Sequence, residues 1–309
     1  MAKEKKKVVH LDPEGWARKV KRRKRAALIA AAAAVLGLGA FFLTRDLLIP
    51  AVRYASAEKA ETAGRIQEAI SGFASAGSYR GAFAHAADIA FGEQKDPSVR
   101  EALSGAEYGD TVEFGRYEQD GDPKSPEPIK WTVLKNENGR LLLLSESVLD
   151  ASTYNPTEGE ITWAACGLRA MLNEEFVNEA FTEEERLLIL TEKLANGKNP
   201  VSGASGGPAT LDSVFLLSME DMLSVAREHR DFDIYGQYAF ATNYAISRGV
   251  EVSKYRTTGW WTRTPGSRQD NVMYADAAGS LLHSTDPTRK DLGVRPAIWV
   301  FAGDRSPQN

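Results

Sequence analysis

The sequence predicts an α+β domain with antiparallel strands and inserted helices, placed behind a membrane-spanning helix and a small helical segment. Between residues 107 and 301, strand-like segments come first and last and helical segments lie between them, unlike the βαβ alternation of a parallel sheet. Residues 26–44 contain no charge, and residues 54–92 are rich in alanine. A chain of 309 residues with 43% hydrophobic content has room for about two domains.

The charge is divided sharply along the chain. Residues 1–25 hold eleven Lys/Arg and three Asp/Glu, so this segment carries +8 and the remaining chain −12. The 19 uncharged residues that follow match the roughly 20 needed for a helix to cross a bilayer. By the positive-inside rule we expect residues 1–25 to be a cytoplasmic tail and the later part to lie outside the cell.

Two alternatives to this anchor remain open. The uncharged stretch is also compatible with a buried soluble helix or with a cleaved signal peptide, although the nearest Ala-x-Ala site, at residues 55–57, lies beyond charged residues.

The basic tail is also of a kind that attracts anionic lipid or nucleic acid. We favour a topology signal alone and expect no nucleic-acid partner.

The segment 54–92 contains an internal repeat. "AGRIQEAISGF" starts at Ala63 and "AGSYRGAFAHA" at Ala76, and each places a glycine where a short helix ends. Apolar residues from Ile66 to Phe73 recur at helical spacing. The pattern resembles tetratricopeptide-like hairpins with a much shorter period. It predicts a packed spacer, and a peptide-binding groove is the alternative.

The remaining elements follow in order from residue 108. Strands are predicted at Thr111 to Phe114 and on both sides of the "NENG" turn at residues 136–139. Thr162 is predicted to cap a helix that carries Cys166, and Thr182 and Ser218 are each predicted to start a further helix. Another helix is expected over residues 238–246. The strands "GWWTR", "NVMYADAAG", "SLLHS" and "VRPAIWV" complete the domain.

An ordered set of blocks carries a family resemblance. These blocks are "YGDTVEFGRYEQD", "PIKWTVL", "TWAACGLRAMLNEEF", "VFLLS", "WWTRTPG" and "GVRPAIWV". Together they resemble a bacterial family described as domain of unknown function 6273, over residues 107–301. More remotely, the Trp–Arg strand and the closing G-x-R-P strand are similar to C-type-lectin-like domains, including the formylglycine-generating enzymes. The resemblance implies a lectin-like fold in which "GWWTR" is a central strand, followed by a short tail at residues 302–309.

The adjacent indoles of "GWWTR" must point to opposite faces of that strand. We expect Trp260 in the core and Trp261 on a candidate ligand-binding side. A cluster of polar residues follows this strand. Its arginine side chains are expected either to pair with carboxylates and carbonyls or to line a ligand site. The candidate ligand-binding residues are Trp261, Arg263, Asn271, Tyr274, Asp276 and Arg295.

None of the motifs that could indicate catalysis or metal binding lies in a suitable sequence context. Cys166 is the single cysteine, so no intramolecular disulfide is possible and the cysteine pair of the formylglycine-generating enzymes is missing. "GASGG" lies in a loop, the four histidines are scattered, and Asp120 and Asp122 lack the later ligands of a calcium loop. We therefore expect no cofactor and no metal.

These observations predict a single-pass membrane protein that displays a non-enzymatic, lectin-like binding domain outside the cell. Its ligand is expected to be an envelope glycan, a peptide or another protein. An extracytoplasmic enzyme of unrecognised type is one alternative. The other is a structural or signalling subunit that acts through its helical repeats.

Overall fold

The computed structural model describes residues 44–92, 101–137, 139–234 and 237–303. The predicted cytoplasmic tail, and the predicted membrane-spanning stretch apart from Thr44, lie outside these ranges. Among the described residues, no helix combines the length and the apolar character needed to span a membrane. The chain divides into two compact units, residues 1–52 and residues 53–309.

Three helices form the segment after the predicted anchor. They are α1 (Ile49–Thr62), α2 (Ile66–Ala76) and α3 (Ala82–Gly92). Gly64 and Gly77 adopt φ values of +72° and +62° where the helices end, as the repeat predicts. Ile70 and Phe73 of α2 are fully buried, so the predicted apolar face is confirmed. Gly72 allows close packing, because a Cβ there would lie 2.8 Å from that of Ala57.

Sixteen short strands follow within the residues that the structure describes. In chain order they are β1 (Thr111–Tyr117), β2 (Glu127–Glu137), β3 (Arg140–Ser145), β4 (Ser147–Val148), β5 (Asp150–Ala151), β6 (Ile189–Leu190), β7 (Glu192–Leu194), β8 (Thr210–Asp212), β9 (Val214–Phe215), β10 (Ala239–Ala241), β11 (Thr257–Thr258), β12 (Trp260–Pro265), β13 (Val272–Ala275), β14 (His283–Thr285), β15 (Gly293–Val294) and β16 (Ala297–Phe301).

Two larger sheets organise these strands. The first has the order β1-β2-β3-β16-β6, with β9 also pairing with β16, and all of its pairings are antiparallel. The second has the order β14-β13-β12-β15-β5, in which only β12 and β15 run parallel. The sheets β11-β10-β4 and β7-β8 are smaller. Mixed helices and mostly antiparallel sheets confirm the predicted α+β class.

The first sheet supplies much of the core. Its strand β3 reads Arg-Leu-Leu-Leu-Leu-Ser, and all four leucines are buried. An uninterrupted apolar strand of this kind is typical of a strand covered on both faces. The closing strand β16 pairs with β3 along its full length, from Ala297 opposite Leu144 to Phe301 opposite Arg140. The last of the described strands is therefore an interior strand of the sheet, with β3 on one side and β6 and β9 on the other.

The middle of the domain holds five further helices. They are α4 (Gly167–Met171), α5 (Val177–Ala180), α6 (Glu183–Leu188), α7 (Met219–Glu228) and α8 (Asn243–Ser247), with a π-helical turn at Leu172–Phe176 between α4 and α5. Thr182 with Glu185, and Ser218 with Asp221, form complete capping boxes. The predicted starts of α6 and α7 are confirmed.

Two of the predicted helices are wrong in extent. Thr162 precedes only a short 3₁₀ turn and makes no capping hydrogen bond, and α4 begins after Cys166, whose Sγ accepts from the Arg169 N–H at 3.4 Å. The segment predicted as a helix over residues 238–246 starts as strand β10, which pairs in parallel with β4. Here a pairing partner distant in sequence outweighs the local helical pattern.

Candidate ligand-binding site

The tryptophan pair lies on the central strand of the second sheet, as predicted. Both Trp260 and Trp261 are fully buried. The Trp260 Nε1–H donates to Gln237 O at 3.1 Å, and the Trp261 Nε1–H donates to Ser152 O at 2.8 Å. The two indole N–H groups therefore form hydrogen bonds with loops on opposite faces of the strand. Trp261 has no accessible surface, which corrects its expected placement on a ligand-facing side.

Arg263, two residues further along β12, is held in an ion pair. Its Nη2 donates to both carboxylate oxygens of Asp221, at 2.8 and 2.7 Å, and its Nη1 donates to Ala195 O at 3.2 Å. The same carboxylate closes the capping box at Ser218. Arg263 thus ties β12 to the start of α7 and to the loop after β7, and this matches the expected pairing of a buried guanidinium group.

Asn271 shapes the turn between β12 and β13. Its Oδ1 accepts from the Arg268 N–H at 2.9 Å, and its Nδ2 donates to Ser267 Oγ at 3.2 Å. Gly266 is required beside it, because a Cβ at that position would collide with Asn271 and Ser284. The hydrogen bonds of Asn271 lie within the turn that it closes.

Tyr274 and Asp276 come together at a shallow pocket of about 250 Å³. The Arg289 guanidinium lies 5.3 Å from the centre of the Tyr274 ring, and Asp291 pairs with that arginine. The hydrogen bond from Arg289 lowers the pKa of the Asp291 carboxyl. Asp276 accepts from two backbone N–H groups of its own turn and contacts His283 at 3.2 Å. Arg289 is thus paired with Asp291, and Asp276 already has hydrogen-bond partners in its own turn and a contact with His283.

Arg295 is placed differently. It lines a pocket of about 360 Å³ with residues from four other parts of the chain. Its Nε–H donates to Ser145 O at 2.9 Å, and its guanidinium lies over the Trp260 ring at 5.1 Å. Within the part of the chain that the structure describes, Nη1 is buried without a hydrogen-bond partner. Burial lowers the pKa of Arg295 to about 10.

The opposite wall of this pocket is aromatic and acidic. The Tyr108 ring stacks on His229 with 3.6 Å between the ring centres. Burial, and then the charge of Asp231, raise the pKa of Tyr108 above its ordinary value. The pocket-lining residues around Arg295 are Tyr108, Gly109, Thr132, Leu134, Leu144, Asp231, Phe232, Asp233 and Gln237. Donors and acceptors thus face one space, and this arrangement is able to orient a polar ligand.

A wider groove of about 770 Å³ lies between the helical segment and the β7–β8 hairpin. Gln67 Nε2 donates to Arg186 O and Ile189 O at 3.0 Å each, and Ser71 Oγ accepts from the Thr191 N–H at 2.9 Å, so α2 is docked beside this groove. Leu211 on its rim is 64% exposed.

A family model described as Domain of unknown function (DUF6273) matches residues 138–302, just over half of the chain. The chain belongs to the DUF6273 family. No curated protein and no solved structure matches it.

The DUF6273 segment covers β3 to β16 and contains every candidate residue proposed from the sequence. The structure does not bring these six residues into one site. Tyr274 and Asp276 share a pocket, Arg295 lines another, and the other three have structural hydrogen bonds in the interior or in a turn.

Sequence reasoning missed the partners of Arg295 in this DUF6273 protein. Tyr108 comes from the loop before β1, whereas Asp231 and Gln237 come from the loop between α7 and β10, and Tyr108 precedes the matched segment. Each is an ordinary loop residue in its own sequence context. No local signal distinguishes them, because the pocket exists only after the sheets have assembled.

Cys166 is part of the core. Its Sγ–H donates to Trp163 O at 3.4 Å, and the residue is 3% exposed. Burial raises the pKa of the thiol to about 12, so it stays protonated at neutral pH. A protonated, buried thiol does not act as a nucleophile.

Proposed function

We propose that the chain is a single-pass membrane protein that displays a non-enzymatic ligand-binding domain outside the cell. The basic tail and the 19 uncharged residues support the anchor and its orientation. A further support is the apolar surface of the residues just after this stretch: Leu48 is 50% exposed and Val52 is 70% exposed. Exposed apolar residues next to a spanning helix suit contact with the bilayer interface.

Protease protection tests this topology. With an epitope tag at Met1, protease added to intact cells should degrade the domain and leave the tag protected. After the cells are made permeable, the tag should be lost too. A tag that is destroyed in intact cells would reverse the orientation and remove the extracytoplasmic location from the proposal.

We further propose that the domain has a C-type-lectin-like arrangement. The closing strand after Arg295 pairs with an early strand, and the Trp–Arg strand is central with long loops beside it. Both features are similar to the lectin-like pattern. This similarity concerns the fold and supplies no ligand, which must be argued from the site.

The Arg295 pocket is the proposed ligand site, and a neutral saccharide is the proposed ligand. The observation that carries this proposal is a buried guanidinium group with an unpartnered Nη1 in a pocket of about 360 Å³. A buried charge without full hydrogen bonding is costly, so such groups are typical of sites that complete their contacts with a ligand.

The composition of the pocket favours hydroxyl groups over a charged ligand. Arg295 and the Gln237 amide are donors, and the Asp231 and Asp233 carboxylates are acceptors. Sugar hydroxyls donate and accept at once, and therefore match both sets. A carboxylate ligand would face two like charges. The Tyr108 ring supplies an aromatic surface at the same place.

The test is a glycan array probed with the full chain in detergent, followed by calorimetric titration of any bound glycan. Arg295→Gln and Asp231→Asn should each weaken binding at least tenfold. Arg268→Gln is the matched control, because Arg268 is 72% exposed and pairs only with Asp270 among the described residues. The proposal fails if no neutral glycan binds, or if both pocket variants bind as tightly as the control.

A second candidate is a polypeptide partner in the groove beside α2. The volume of about 770 Å³ and the exposed Leu211 favour it. A photo-crosslinking residue at position 211 should capture one defined protein from the cell envelope, whereas the same residue at Tyr255, an exposed site outside the groove, should not. Equal capture at both positions would rule out a specific groove partner.

A further inference from the structure

The hairpin between β1 and β2 brings three carboxylates together. Tyr117 at the end of β1 pairs with Glu127 at the start of β2. Glu118, the next residue after Tyr117, therefore lies close to Glu127 where the loop of the hairpin begins. Asp120 lies two residues into that loop. One carboxylate oxygen from each of Glu118, Asp120 and Glu127 lies within 4.8 Å of the other two.

The burial of Glu118 distinguishes this group from an ordinary acidic loop. Glu118 is 7% exposed, and its Oε2 is buried with no hydrogen-bond partner among the described residues. The other oxygen, Oε1, accepts from the Gly121 N–H. A buried carboxylate oxygen without a donor is strongly unfavourable, because the charge has lost its hydration and gained nothing in return.

Among the described residues, no lysine or arginine forms an ion pair with this group. Across the described ranges, none of the ion pairs formed by Lys or Arg involves Glu118, Asp120 or Glu127. The Gln119 N–H donates to Glu127 Oε2 at 2.8 Å and the Asp122 N–H to Asp120 Oδ1 at 2.8 Å. These hydrogen bonds from backbone N–H groups hold the carboxylates in position but do not neutralise them. Three carboxylates therefore remain close together.

We propose that Glu118, Asp120 and Glu127 bind a calcium ion. Calcium accepts six to eight oxygen ligands at about 2.3–2.6 Å, so two of its ligands lie up to about 5 Å apart. The carboxylate oxygens fit within that span. Calcium also tolerates irregular geometry and takes its remaining ligands from carbonyl groups and water, which suits a loop with one buried and one exposed carboxylate.

The structure also changes which acidic residues belong to the site. The sequence draws attention to Asp120 and Asp122, two residues apart. In the structure the partners of Asp120 are Glu118 and Glu127, and Asp122 Oδ1 instead accepts from the Lys124 N–H at 3.1 Å. The sequence spacing of 118, 120 and 127 becomes a cluster only because the hairpin returns the chain to its starting point.

The test is calcium titration of the full chain, purified in detergent and stripped with a chelator. One equivalent of calcium should bind, with a dissociation constant of about 0.1–1 mM, the range of extracellular modules. At 5 mM calcium the thermal midpoint should rise by about 3–6 °C, because binding to the native state alone stabilises it. Magnesium at the same concentration should produce less than half of this shift.

Three variants give the matched comparison. Glu118→Gln and Glu127→Gln should each lose calcium binding at least tenfold, yet keep or raise the thermal midpoint in chelator, because each removes a repelling charge. Glu113→Gln, an exposed carboxylate on the same strand, should retain the full calcium shift. The absence of calcium binding, an unchanged response in Glu118→Gln, or an equal response to magnesium would overturn the assignment.

Discussion

Replacing either member of the Trp260–Trp261 pair by alanine should destabilise the protein by a similar amount. The expectation from the sequence, with Trp260 in the core and Trp261 on a ligand-binding side, implies a smaller loss of stability for Trp261. The structure removes that difference, since both rings are fully buried and each N–H donates to a backbone carbonyl. Neither site has an accessible surface through which water could fill the space at low cost.

The magnitude follows from the buried area. A buried tryptophan removes about 150–250 Å² from water, and at about 25 cal/mol per Å² this is roughly 4–6 kcal/mol. The carbonyl left without its donor adds about 1 kcal/mol, while local collapse recovers part of the loss. We therefore expect about 3–5 kcal/mol for each alanine variant. Trp261→Phe keeps most of the packing next to Tyr154 and should cost about 1–2 kcal/mol.

Urea unfolding of the full chain, followed by near-ultraviolet circular dichroism, measures these differences. The thermal midpoint should fall by about 6–20 °C for each alanine variant. A loss below about 1 kcal/mol for Trp261→Ala would refute the reasoning, because it would mean that the ring is not packed against the loop at Ser152. A large loss for Trp261→Phe would assign the effect to the hydrogen bond instead.

Three other substitutions or treatments test the interior. Arg263→Met should lower the free energy of unfolding by about 2–4 kcal/mol, because Asp221 loses its partner, and the double variant Arg263→Met with Asp221→Asn should recover part of this in urea denaturation. Asp212→Asn should cost about 3 kcal/mol by the same assay, because the fully buried carboxylate accepts three side-chain hydrogen bonds. Iodoacetamide at pH 9 should alkylate native Cys166 at least about 100-fold more slowly than the urea-unfolded chain, because burial raises its pKa to about 12. The pKa of the native thiol is higher than that of the unfolded thiol, so the native thiol stays protonated to higher pH. The contribution of Cys166 to the free energy of unfolding is therefore fully present below about pH 9 and falls as the pH rises toward 12.

The features that could be predicted from the sequence are those set by neighbouring residues. A capping box needs side chains three positions apart, and both predicted helix starts, at Thr182 and Ser218, carry one. The helical face of α2 also follows from local periodicity, whereas the central position of the Trp–Arg strand was implied by the resemblance. For the capping boxes and the helical face the physical cause acts over a few residues, so the sequence contains the full signal.

The features that sequence reasoning missed depend on contacts between distant segments. Strand β10 forms because Phe240 pairs with Ser147, 93 residues earlier, and no local pattern contains that partner. Cys166 replaces Thr162 as the residue that caps α4, because a 3₁₀ turn intervenes. The Arg295 pocket and the acidic hairpin likewise depend on assembled segments: the sequence singles out Arg295 and Asp120, but not the residues that surround them.

The Arg295–Pro296 step links the fold to the proposed ligand site. Strand β15 of the second sheet ends at Val294 and β16 of the first begins at Ala297, so these two residues carry the chain from one sheet to the other. Pro296 has no N–H to donate, but its carbonyl accepts from the Ser145 N–H at 3.0 Å. The Arg295 side chain donates to the Ser145 carbonyl at 2.9 Å and so supplies the hydrogen bond that a backbone N–H would make in a continuous strand. Because Nε is used in this way, the remainder of the guanidinium is fixed over Trp260 at the edge of the pocket. The crossing between the sheets therefore orients the guanidinium group that the proposed saccharide site uses as a donor.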